Sequence, residues 1–231
     1  MDDETMRRFF AILSEEEKLR ALRFYFDRHC GRYIATHGLL RLILGEYLGI
    51  GPKLLTFCTN QHGKPLLCAD QNKTNILFNI SRSHNVSVIA VSSGPDIGID
   101  IEYIYRDINV LEITQRFFSK GESEKLNALP EYLQKSAFFR CWTRKEAYLK
   151  GKGHGLSTDL DRFEVSVLPT QLAAILSSDD SPEDVDSWHL FDIDPYPGFI
   201  SALAVAGEPL GIQYFTVTSI LPKMIEPHGK I

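Results

Sequence analysis

Asp100 and Glu102 stand two residues apart in Ile97-Gly98-Ile99-Asp100-Ile101-Glu102. Alternate side chains of a strand share a face, so Ile97, Ile99 and Ile101 suit a core while Gly98, Asp100 and Glu102 face the other way. Two carboxylates on one face repel each other unless water or a cation intervenes. Hard cations such as magnesium take oxygen ligands and suit the pair. Gly98 beside them lacks a side chain and leaves room for a bulky ligand. A solvent-facing strand with polar alternation fits the same spacing.

The second group is Cys141-Trp142-Thr143-Arg144-Lys145-Glu146-Ala147-Tyr148-Leu149-Lys150. On a helix Trp142, Glu146 and Lys150 fall on one face. Glu146 there is a metal ligand or a base, with Lys150 beside a phosphate. The same order also makes a surface ion pair. Gly151-Lys152-Gly153-His154-Gly155 follows, either as a helix stop or as a loop whose backbone approaches a ligand. A third group, Phe78-Asn79-Ile80-Ser81-Arg82-Ser83-His84, reads as a strand running into a polar turn. Its Ser, Arg and His side chains can donate to phosphate oxygens, and plain turn chemistry uses the same residues. Lys64 in Gly63-Lys64-Pro65 is a further candidate cation, its backbone restrained by Pro65.

These residues need elements to hold them. Apolar spacing predicts a largely helical stretch from Leu19 to about Leu48, and helices over Leu111 to Leu129 and Tyr132 to about Lys150. Strands are predicted at Ile76–Ile80, Val86–Val91, Ile97–Glu102, Trp188–Ile193 and Ile200–Val205. The turn Ser92-Ser93-Gly94-Pro95-Asp96 makes the second and third of these resemble a hairpin. Ser177 to Asp186 reads as an acidic loop. Arg8-Phe9-Phe10 recurs as Arg116-Phe117-Phe118, and Glu17-Lys18-Leu19-Arg20-Ala21-Leu22 as Glu124-Lys125-Leu126-Asn127-Ala128-Leu129. Ala90-Val91 before Gly94 is echoed by Ala204-Val205 before Gly207. The order is kept at a nearly constant offset, which reads as two similar α+β halves; chance matching among common residues is the alternative. Ligand clefts favour the boundary between such halves.

Composition narrows the classes. The chain has 231 residues, 44% apolar and 24% charged, as a soluble globular protein has. A formal net charge of −5 excludes nucleic-acid binding driven by bulk positive charge. Cys30, Cys58, Cys68 and Cys141 have neither zinc-ligand nor redox spacing, which fits a reducing, cytoplasmic setting. Met1-Asp2-Asp3-Glu4 is not the start of a secretory signal, and no apolar run nears the roughly 18 residues of a membrane span.

In order along the chain, Gly63-Lys64-Pro65, Phe78-Asn79-Ile80-Ser81, Gly98-Ile99-Asp100-Ile101-Glu102, Arg116-Phe117-Phe118 and Trp142-Thr143-Arg144-Lys145-Glu146-Ala147-Tyr148-Leu149-Lys150 resemble one family. It is the surfactin-type 4'-phosphopantetheinyl transferases, and within them the cyanobacterial-looking members. The likeness covers roughly Leu19 to Gly207. It implies an α+β pseudo-dimer of two similar halves, 1–95 and 96–215, with the active site in the cleft between them and a tail over 216–231. It implies that the phosphopantetheine arm of coenzyme A moves to a serine of an acyl or peptidyl carrier protein, releasing 3',5'-ADP. Asp100, Glu102 and Glu146 match the family's magnesium ligands, with Glu146 and Lys150 in the catalytic role. Arg32, Lys64, Pro65, Ser81 and Arg82 fall at or near the coenzyme-binding positions, and Glu122 matches an acidic position past the metal strand.

There are two departures. The family places His after Asn-Ile-Ser where this chain has Arg82, and arginine cannot act as a neutral acceptor. The family also opens on a β-strand, whereas this sequence begins inside an acidic helical stretch. A monomer without nucleic-acid or membrane partners is expected. Two other classes use the same residues: a metal-dependent nucleotide pyrophosphohydrolase, with water as acceptor, and a non-catalytic coenzyme-binding paralogue.

Overall fold

The computed structural model describes residues 1–153, 159–168, 170–208 and 211–217. Chain contacts gather it into two compact units, one built on Met1–Phe57 and Leu67–Thr74, the other on Cys58–Leu66 and Asn75–Pro209. The halves expected from the sequence divide at residue 95, between Val86–Ser93 and Ile97–Tyr103.

In the first unit, α1 (Asp3–Ile12) starts where the Asp2 carboxylate accepts the Thr5 amide at 2.7 Å. Next comes α2 (Glu15–Leu22), opened by a capping box: Ser14 Oγ accepts from the Glu17 amide, and the Glu17 carboxylate accepts from the Ser14 amide. The third helix, α3 (Asp27–Leu48), ends at Gly49 in the left-handed region. The helix expected from Leu19 is therefore interrupted at Arg23–Phe26. Leu19 and Leu22, which extend the apolar pattern, are 60% and 67% exposed and pack on no core. Arg41 of α3 is buried; it donates to the Glu17 carboxylate at 2.7 Å and to the carbonyls of Pro52 and Leu55, around a 3-10 turn at Pro52–Leu54. The short strands β1 (Phe57–Thr59) and β2 (Pro65–Leu67), which pair with each other, fall mostly in the second unit.

The second unit holds β3 (Ile76–Ser83) and β4 (Val86–Ser93), an antiparallel hairpin turning at His84-Asn85. The strand expected to stop at Ile80 thus runs on through Ser83. β5 (Ile97–Tyr103) does not form the expected hairpin with β4. Its partner is β9 (Phe199–Ala206), about a hundred residues on, which also pairs with β8 (Trp188–Asp192) in the order β5-β9-β8. The apolar stretch Leu111–Leu129 forms two helices, α4 (Val110–Phe117) and α5 (Lys120–Asn127), because Ser119 and Glu122 make a second capping box. Then α6 (Glu131–Lys152) lies on the sheet over a core that includes Phe138, Phe139, Tyr148, Leu190, Ala202 and Ala204. β6 (Phe163–Val165), β7 (Ile175–Ser178) and α7 (Asp184–Ser187) complete the unit. The last two occupy much of the expected acidic loop.

The repeat read in the sequence coincides with a repeated element order. Helices of 10, 8 and 22 residues, α1 to α3, are echoed by 8, 8 and 22 in α4 to α6. The buried cation repeats too. Lys145 of α6 sits 2.9 Å from the Glu122 carboxylate and donates to the Leu160 and Phe163 carbonyls, around a 3-10 turn at Leu160–Arg162. Glu122 is thus a fully buried capping and pairing residue of the scaffold.

Candidate active site

The acidic strand and the long helix meet because of two glycines. A Cβ on Gly98 would fall 2.0 Å from the Ala147 carbonyl oxygen and 2.2 Å from the Gly151 amide nitrogen. The space expected for a ligand at Gly98 is therefore filled by the backbone of α6. Gly151 in turn lies against the Trp188 ring, which a Cβ would meet at 2.5 Å. This close approach brings Glu146 and Lys150 down onto the Asp100 and Glu102 face of β5.

Asp100 is buried, and its two oxygens have different surroundings. Oδ1 accepts from Ser81 Oγ at 2.8 Å and from the Lys150 ammonium at 2.5 Å. Oδ2 is buried with no hydrogen-bond partner among the described residues. Glu102 accepts from Ser83 Oγ at 2.7 Å and pairs with Arg106 at 3.0 Å. The carboxyl of Glu146 is raised above its ordinary value, first by burial and then by the Asp100 charge, while Lys150 opposes the shift. Burial likewise raises Glu102. Desolvated carboxyls that raise one another are what a cation relieves. Lys150 supplies one positive charge to that cluster; its direct ion pair is with Asp100, and its charge also acts on Glu146. Among the described residues, no three His, Cys, Asp or Glu side chains converge at metal-ligand distance.

The other expected residues are spread more widely. Ser81, expected at the coenzyme, holds Asp100 and also accepts from Lys150 at 3.1 Å. Arg82 is exposed on the other side of β3. Lys64 donates to the carbonyls of Ile97 at 3.2 Å and Gly151 at 2.7 Å, and burial lowers its affinity for a proton. It caps the C-terminal end of α6, where carbonyls lack partners, together with Asn60, which donates to the Gly153 carbonyl. Pro65 beside it is exposed, and Arg32 lies on α3 in the other unit. Trp142 joins Phe117, Phe118 and Phe138 in an aromatic cluster instead of facing the carboxylates. Gly151 is inside α6 and Gly153 is its left-handed cap, while His154 and Gly155 lie outside the described residues.

Sequence reasoning missed Arg106, one helical spacing beyond Glu102, and the use of Ser83. The signal for Ser83 was present: polar side chains at every second residue from Asn79 through Ser83 form one face of a strand.

Comparison with known proteins bears on this arrangement. Residues 96–202 match the model of the 4'-phosphopantetheinyl transferase superfamily, and residues 2–94 match that of a 4'-phosphopantetheinyl transferase N-terminal region. The chain is 39% identical over 197 residues to the 4'-phosphopantetheinyl transferase HetI of Nostoc sp., covering 85% of this chain and 80% of the relative. It is 31% identical to the 4'-phosphopantetheinyl transferase Sfp of Bacillus subtilis, over 89% and 88% of the two chains. A crystal structure of Thermotoga maritima holo-[acyl-carrier-protein] synthase overlaps 49% of this chain and 64% of its own, at 16% identity and a TM-score of 0.37. The matched region 96–202 contains the acidic strand and the whole of α6, and the likeness to the two bacterial relatives runs along most of their length, so the chain belongs to the 4'-phosphopantetheinyl transferase superfamily.

Proposed function

We propose that this enzyme transfers the 4'-phosphopantetheine arm of coenzyme A to a serine hydroxyl of an acyl or peptidyl carrier protein, releasing 3',5'-ADP. The observation that carries this is Asp100: one oxygen is held by Ser81 and Lys150, the other is buried without a partner among the described residues, and Glu102 and Glu146 lie close enough to feel its charge. Carboxylate oxygens of this kind suit magnesium, which Asp100, Glu102 and Glu146 would hold. When bound, the cation supplies charge neutralisation on the pyrophosphate.

The chain's own residues supply the rest. The carrier serine oxygen forms a bond to the phosphorus bearing the pantetheine arm. As it does so, the bond from that phosphorus to the bridging oxygen breaks, and its electron pair leaves with 3',5'-ADP. Glu146, with its proton affinity raised, takes the serine proton directly or through one water. Lys150, a point charge on a flexible stem, moves from Asp100 to a pyrophosphate oxygen. Arg32, Lys64, Pro65, Ser81 and Arg82 make up the coenzyme-binding set in this reading. Two similar halves with the coenzyme cleft between them belong to it as well, supported by the repeated element order.

We take the enzyme to act as a cytoplasmic monomer. Four free cysteines fit a reducing setting, and two similar halves within one chain favour a monomer. The test is mass spectrometry of an apo carrier protein incubated with the enzyme, coenzyme A and magnesium. A gain of one phosphopantetheine arm is expected. Release of 3',5'-ADP without any carrier would instead support a pyrophosphohydrolase. Glu146→Gln should keep coenzyme binding and lose turnover.

A further inference from the structure

The edge of β5 that faces β3 is not closed by a backbone ladder. Instead three side chains of β3, two residues apart, take its amides. Asn79 Oδ1 accepts from the Ile99 amide at 2.9 Å, Ser81 Oγ from the Ile101 amide at 3.4 Å, and Ser83 Oγ from the Tyr103 amide at 3.0 Å. All three side chains are buried. They work like the teeth of a comb, each meeting the strand twenty residues on in sequence.

The tooth type follows what β5 carries beside it. Where the strand has Gly98, the tooth is Asn79, whose amide oxygen accepts from the strand with no carboxylate beside it. Where it has Asp100 and Glu102, the teeth are Ser81 and Ser83. A hydroxyl has one donor and two acceptor lone pairs. It can therefore accept the strand amide and donate to the neighbouring carboxylate with the same atom. Ser81 donates to Asp100 at 2.8 Å and Ser83 to Glu102 at 2.7 Å. Each serine fixes a carboxylate oxygen relative to the strand's own backbone.

We infer that Ser83 is a positioning residue for the cation site, setting the orientation of Glu102 through that shared oxygen, and that Asn79 serves the strand alone. The inference rests on the proposed metal reading. Partners that orient ligating carboxylates typically cost 10–100-fold in metal affinity when removed.

The test is titration of the purified protein with Mn2+, reading free Mn2+ by electron paramagnetic resonance, with thermal melts alongside. Ser83→Ala should weaken Mn2+ binding by roughly 10-fold or more, and Ser83→Thr, which keeps the hydroxyl, should restore it. Asn79→Ala should lower the melting temperature and leave Mn2+ affinity within about 3-fold of wild type. Wild-type affinity in Ser83→Ala overturns the inference. Equal weakening in Asn79→Ala and Ser83→Ala also overturns it, since the comb would then act only through the fold. Wild-type protein that binds no Mn2+ sinks the metal reading itself, a result distinct from either.

Discussion

At the residue scale, Asp100 is where charge, burial and geometry conflict most. Its carboxylate is almost wholly removed from water, yet among the described residues only one of its oxygens is paired. Burying a charged group without full pairing costs free energy, and such a cost persists where function uses it. Asp100→Asn keeps the size and removes the charge. It should lower transfer to the carrier on the order of 10²–10³-fold, read by mass spectrometry, with far-ultraviolet circular dichroism unchanged. A folded Asp100→Asn protein that transfers at the wild-type rate would end the metal-site reading. Spacing put Asp100 with Glu102 and Glu146 with Lys150, because strand and helix periods fix which side chains share a face; that the two pairs belong to one site was implied by the family resemblance alone. What Lys150 pairs with was not legible. The i, i+4 rule offers Glu146, but the close approach of α6 puts Asp100 nearer.

At the element scale, the site depends on how tightly α6 lies on β5. The positions of α3 to α6 were legible in their apolar periods, whereas α7 falls in a stretch that reads as a loop. The helix breaks were less legible: Ser119 starts a new helix within a pattern that continues past it, and a cap is a hydrogen bond rather than a change in hydropathy, while the break at Arg23–Phe26 precedes a helix with no side-chain cap at all. Strand pairing was not legible at all for β5, since its partner β9 lies about a hundred residues on and local turn chemistry pointed to β4. Gly98 was read correctly as a place of close approach and wrongly as to what approaches. The atoms a Cβ would meet there are backbone, which cannot rotate away. Gly98→Ala should therefore lift α6 from the strand and cost about 3 kcal/mol or more, measured by urea denaturation. It should lower transfer as well, because Glu146 and Lys150 ride on the displaced helix. If Gly98→Ala melts and turns over like wild type, α6 does not pack on β5 as described.

Across the whole molecule, the two capping-box glutamates and their buried cations are the clearest sign of repetition. Arg41 and Lys145 each join a long helix to a capping box and to two carbonyls around a 3-10 turn, one with a guanidinium and the other with an ammonium. The second arrangement indicates what the first will tolerate. Arg41→Lys should cost only about 1 kcal/mol, because Lys145 makes the corresponding contacts with an ammonium. Arg41→Met, which takes the guanidinium from the half-buried Glu17 carboxylate and the donor from two carbonyls, should cost roughly 3–5 kcal/mol. Equilibrium urea unfolding separates the two; equal losses would mean that the likeness between the repeats stops at element order.

The unpartnered Asp100 oxygen has a consequence for the folded population as a whole. A ligand that binds only the folded state stabilises it by mass action. A divalent cation at one hundred times its dissociation constant should add about 2.7 kcal/mol, raising the melting temperature by roughly 5–10 °C. Differential scanning fluorimetry with magnesium and then with a chelator measures this directly, without substrate or turnover, and an unmoved melting curve would count against cation binding there. One buried oxygen would then couple the lifetime of the folded chain to the free cation supply around it, so that ion starvation lowers the amount of enzyme as well as its rate.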